Sequence, residues 1–155
     1  MKNREITRQL QGLRALMRNA MAQTTDLSLQ AAWARFFCVL VAGLLENAIT
    51  EIYEEYVVRV TAPEAANYAV SRLAQIQNPN TAKFIETAHA FSHAWGVALE
   101  AFVDVNGRKE AIDSIMATRH QIVHGQNAGI SYVRIVGYLD KAVEVLEFIE
   151  NQVRP

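Results

Sequence analysis

Apolar positions recur at helical spacing along nearly the whole chain. In the first segment, about Asn3 to Ala22, Ile6, Leu10, Leu13, Met17 and Met21 fall on one stripe. After a polar loop, with Ser28 as a candidate N-cap, a second and longer helix is expected from about Leu29 to Val60. Its centre, Trp33 to Ile52, is apolar on nearly every face, the pattern of a helix surrounded by others. Thr61-Ala62-Pro63-Glu64 has the spacing of a capping box with proline in the first turn, and a third helix should follow to about Gln77. Asn78-Pro79-Asn80 breaks the pattern. Asn80 can then cap a fourth helix reaching about Val103, with a bend expected near Gly96.

Asn106-Gly107 reads as a turn, and a fifth helix as Arg108 to about Val123, closed by Gly125 as a C′ residue. Ser131 should cap a last helix ending near Gln152. No segment reads as a strand. The expectation is therefore an all-α fold: a compact antiparallel bundle of five or six helices forming a single domain over residues 1–155, with 1–22 a basic helix packed on it.

Composition narrows the function classes. With 155 residues, 51% of them hydrophobic and 20% charged, the chain can bury a core without disulfides or a structural metal. The formal net charge of −1 excludes a broadly basic coat, so any nucleic-acid binding must be local. The single cysteine, Cys38, cannot form an internal disulfide or a cysteine metal cage, and reads as a buried small hydrophobe. The N-terminus opens onto a polar stretch. The longest apolar run, Phe36 to Leu45, falls short of the ~20 residues that span a bilayer. The expectation is a cytoplasmic protein with no membrane partner.

The fifth helix carries an anomaly. At 100° per residue, Ile112, Ile115, Met116, Ile122 and Val123 form an apolar stripe, and Arg119 falls near its middle. An unpaired buried guanidinium is costly, so a carboxylate, a water-filled cleft or an anionic ligand must compensate it. The best carboxylate candidate is Glu46, a charge equally out of place on the most apolar helix, and the two are expected to meet. His120 and His124, four residues apart, share one side of the helix, and the negative helix end suits a cation at His124. One fixed cation and two imidazoles at a helix end suit phosphate chemistry: arginine stabilises developing charge and histidine moves protons. The same residues fit a structural ion pair, a solvated histidine and a C-cap donor.

Other features compete with this one. The first 22 residues carry Lys2, Arg4, Arg8, Arg14 and Arg18 against Glu5 alone; Arg14 and Arg18 are candidates for an RNA-guiding edge, with a solvated face as the alternative. His89 and His93 share the i, i+4 spacing of a metal pair, but no glutamate follows His89 and no carboxylate cluster has ligand spacing. No metal or cofactor is expected.

Arg119-His120-Gln121-Ile122-Val123-His124 matches the Arg-x4–6-His motif of the HEPN superfamily. Around it, Leu44-Leu45-Glu46-Asn47-Ala48, Asn78-Pro79-Asn80, Ala111-Ile112-Asp113-Ser114-Ile115, Gly125, Ile130-Ser131-Tyr132-Val133 and Gly137-Tyr138-Leu139 resemble the RiboL-PSP-type branch, from about Leu29 to Gln152. The departure is His120-Gln121 where an asparagine commonly follows the arginine, which leaves two candidate working imidazoles. The resemblance implies a helical bundle that dimerises, with the motif helices of two copies meeting at a two-fold axis. It implies metal-independent endoribonuclease activity giving 2′,3′-cyclic phosphate ends, with Arg119, His124 and His120 catalytic and Glu46 supporting. The setting it implies is a toxin or antiviral defence role, with RNA and an antitoxin or other defence protein as partners. The alternative it also allows is an inactive HEPN-type binding or scaffold module.

Overall fold

The computed structural model describes residues 1–154 as helices and their connections: α1 (Arg4–Ala22), α2 (Leu27–Val60), α3 (Pro63–Leu73), α4 (Thr81–Phe91), α5 (His93–Val103), α6 (Arg108–Val123) and α7 (Tyr132–Val153). Among the described residues there is no strand. The all-α expectation holds, with seven helices rather than five or six.

The extra helix comes from a break at Ser92, whose φ of −155° and ψ of 127° are extended. The break lets α5 fold back against α4, the most extensively packed helix pair in the fold. Gly96 makes that return possible: a Cβ there would lie 2.1 Å from the His89 ring. The glycine read as a bend in one helix is thus the contact point between two.

Three smaller expectations also shift. Asp26, not Ser28, caps α2, its carboxylate accepting from the Leu29 N–H at 2.9 Å. The capping box at Thr61 does not form; Ala62 is the N-cap of α3 and the Thr61 hydroxyl instead donates to the Val57 carbonyl at 2.9 Å. Pro63 does open α3, which ends at Leu73, short of Gln77. Asn80 and Ser131 cap α4 and α7 as the sequence suggests, accepting from Lys83 and Arg134.

α2 is the axis of the bundle, packed by α1, α3, α6 and α7. Phe37, Val41, Leu45, Ile49 and Tyr53 are fully buried along it, each worth about 1.5–3 kcal/mol relative to exposure. By length and composition alone α2 could cross a membrane, with mean hydropathy 1.6 over 18 residues, but its position within the bundle accounts for the same apolarity.

Side-chain contacts define how the neighbours run. Phe37 meets Tyr132 edge-on at 6.2 Å between centroids, while Arg59 donates to the Val153 carbonyl, so α2 and α7 are parallel. Cys38 Sγ donates to the Ile115 carbonyl at 3.5 Å. Beyond the other end of that seam, Glu46 contacts Asn78, and Thr81 N–H donates to Asp113 at 2.8 Å. α6 is therefore antiparallel to α2. The start of α2, the end of α6 and the start of α7 lie together at one end of the bundle.

Candidate functional site

The end of α6 is built by its last residues. His124 is the C-cap, Gly125 follows at φ +68°, and the amides of Gly125 and Gln126 donate to the carbonyls of Ile122 and Gln121 at 3.1 and 2.9 Å. This is the Schellman arrangement, and the positive φ is the reason a glycine stands there. It stops the helix one residue after Val123 and holds His124 at the rim.

The structure brings the two imidazoles together. The rings of His120 and His124 lie 4.3 Å apart between centroids, at 58° to one another, and both residues are exposed. Ile112, Ile115 and Met116 are buried as the stripe predicts. The stripe then runs out: Ile122 is half-buried and Val123 is 59% exposed. Arg119 is half-buried at this transition, and among the described residues it forms no ion pair and no hydrogen bond.

Glu46 does not meet it. Its carboxylate accepts from the Asn78 amide at 2.6 Å, where Asn78 takes φ +49° in the α3–α4 connection. From the Cys38–Ile115 contact, Glu46 lies eight residues one way and Arg119 four residues the other, about 18 Å apart along the seam at 1.5 Å per residue. A charge on an apolar helix needs a polar partner, and for Glu46 an otherwise orphaned backbone donor serves.

Arg14 and Arg18 sit on the seam between α1 and α7, lining a cavity of about 150 Å³ with Tyr132 and Asp140. Arg14 is engaged by Asp140 at 2.7 Å, while Arg18 is exposed. His89 and His93 lie on opposite sides of the Ser92 break, their rings 5.2 Å apart, and among the described residues no group of three or more metal-ligating side chains forms. Burial pushes the Cys38 thiol up to about 11, so it carries no thiolate chemistry near neutral pH.

One residue went unnoticed in the sequence. Five arginines are half-buried: Arg14, Arg35, Arg108, Arg119 and Arg154. Arg14, Arg108 and Arg154 pair with Asp140, Glu144 and Glu55. Arg35 on α2, like Arg119, forms no ion pair or hydrogen bond among the described residues. The available signal was the one that drew attention to Arg119: a cation set in an apolar helix, here Ala34-Arg35-Phe36.

Apolar residues remain exposed around this end of the bundle: Leu27 and Val133 at 80%, with Leu29, Phe36 and Val123 about half exposed. The larger clefts lie elsewhere. One of about 500 Å³ between α1 and α2 and one of about 370 Å³ between α3 and α4 contain neither Arg119 nor the motif histidines. A single copy of the chain therefore presents the motif on an open surface rimmed by apolar side chains.

A family model described as RiboL-PSP-HEPN matches residues 4–154. No curated protein and no solved structure matches the chain.

Proposed function

Because the chain belongs to the RiboL-PSP-HEPN family, we propose that it is a metal-independent endoribonuclease whose active site is completed between two copies of the chain. Membership by itself supports a nuclease or RNA-related role in general. The finer reading is carried by one observation: a half-buried Arg119 without a protein partner, beside two imidazoles in ring contact.

In the proposed reaction His124 takes the proton of an RNA 2′-hydroxyl as that oxygen attacks the adjacent phosphorus. Arg119 stabilises the charge on the phosphorane. The bond to the 5′-oxygen breaks, and that oxygen leaves with a proton. The products are a 2′,3′-cyclic phosphate and a 5′-hydroxyl, so DNA, lacking the attacking hydroxyl, is not cut. His120, in ring contact with His124, positions the phosphate or shares the proton transfer. Arg18, exposed on α1, is the freer of the two arginines read as an RNA-guiding edge.

The dimer in this reading covers the open end of α6. A two-fold axis there would bury Val123 and Val133 and set two copies of Arg119 and His124 face to face. Light scattering should give a dimer, and Val133→Glu should shift it towards monomer; a strict wild-type monomer would sink the composite site. The proposed setting is cytoplasmic, in defence or as a toxin with an antitoxin partner.

The exposure of both histidines and the net charge of −1 favour a second reading, a binding module without catalysis. An RNA panel incubated with protein in excess EDTA separates the two. Cleavage by the wild type that Arg119→Ala and His124→Ala both lose, with unchanged melting curves, supports the ribonuclease. No cleavage by a folded dimer favours the binding module.

A further inference from the structure

We propose that Arg35 is a second phosphate-binding cation of the Arg119 site, holding a non-scissile phosphate of the same RNA strand. The proposal rests on the RNA reading of Arg119 given above.

The register of α2 against α6 carries the argument. Starting from the Cys38–Ile115 contact, Arg35 lies three residues towards the start of α2 and Arg119 four residues towards the end of α6. Since the helices are antiparallel, both steps run the same way. At 1.5 Å per residue they reach about 4.5 and 6 Å, so the two arginines stand at nearly one level.

Rotation places them on one side of the seam. At 100° per residue Arg119 is about 40° from the contact line on α6 and Arg35 about 60° from it on α2. In antiparallel helices, a forward step on one and a backward step on the other turn towards the same side. Packed helix axes lie about 8–10 Å apart, a span that two arginine side chains can bridge to a shared strand.

Charge supports the same placement. These are the two half-buried arginines that no carboxylate among the described residues compensates. Like charges held together repel, and an anion beside both relieves the repulsion. A strand carrying a phosphate at every nucleotide supplies one charge to each. A guanidinium can bind its phosphate with two N–H donors, which a lysine cannot reproduce.

The test is binding of a fluorescently labelled 2′-O-methyl-RNA oligonucleotide of mixed sequence, which cannot be cut, across a salt series. Arg35→Gln should weaken binding about tenfold at moderate salt and reduce the slope of log K against log salt by about 0.7, the share of one single-strand phosphate. Arg35→Lys, which keeps the charge, should restore the slope while recovering only part of the affinity. Melting curves monitor the fold of both, and the lysine variant decides if the glutamine variant unfolds. Wild-type slope and affinity in Arg35→Gln would overturn the proposal, as would a lysine variant with the reduced slope. RNA cleavage in EDTA by the same preparations separates the two readings. If wild type cleaves RNA and Arg35→Gln binds normally, only the Arg35 role falls. If wild type binds without cleaving and Arg35→Gln loses slope, only the ribonuclease reading falls. A wild type that binds no oligonucleotide overturns both.

Discussion

Where α1 begins and α7 finishes, charges partner one another. The Glu150 carboxylate, 2% exposed, accepts the backbone amides of Lys2 and Asn3; Glu55 pairs with Arg154 and accepts from Asn3; Arg59 donates to the Val153 carbonyl. At the opposite end, Arg35, Arg119, His120 and His124 have no carboxylate within ion-pair distance among the described residues. The first end uses charge to tie the helices together. The second leaves charge unspent, as a surface awaiting an anion does. Burial is similar for the arginines at both ends, so the difference lies in the partners supplied, and that is what assigns one end to stability and the other to function.

The largest effect that would break this contrast is catalytic. Arg119→Ala should lower RNA cleavage by about 10³-fold while shifting the melting temperature little, because no protein contact is lost with the guanidinium. A large stability loss with cleavage retained would make Arg119 structural and erase the distinction.

Next comes the partnered end. Glu150→Ala strands two backbone donors, the Asn3 amide among buried atoms, and should cost about 2–4 kcal/mol in urea denaturation. A cost under about 1 kcal/mol would show that the ties there are incidental.

Gly96→Ala tests the α4–α5 return that packs on the same half of the bundle through Phe91 and Tyr53, stacked at 4.7 Å. The added Cβ meets the His89 ring, which must swing away, at a cost of about 1–2 kcal/mol. RNA binding should be untouched; a matching loss of binding would mean that the two ends are coupled.

The smallest effect has the opposite sign. Desolvation, with Glu51 beside it, raises the Glu54 carboxyl above its ordinary value. A raised carboxylate penalises the fold above its folded pKa and not below the unfolded one. Glu54→Gln should therefore add a few tenths of a kcal/mol at neutral pH, a gain that fades on acidification through the carboxylate range. By contrast the Glu55 carboxyl, lowered chiefly by its bond to Arg154, favours the fold above the ordinary carboxylate range and loses that contribution as pH falls through its lowered value. Paired melts at two pH values read both signs.

The amino-acid sequence by itself determined most of the helices, because periodicity, caps and the Gly125 stop act within a turn or two of chain. It also located Arg119, His120 and His124, since their i, i+1 and i+5 spacing within one helix already places them on one stretch of surface. Only the tertiary structure decided the rest. Gly96 reads as a bend until α5 is seen folding back on His89. Glu46 and Arg119 look like partners until the register of α2 against α6 separates them by about 18 Å. Arg35 reads as one more residue of an apolar helix until the other half-buried arginines prove to be paired. Each of these depends on which residues from distant parts of the chain come to one level of the bundle, and local spacing carries no information about that.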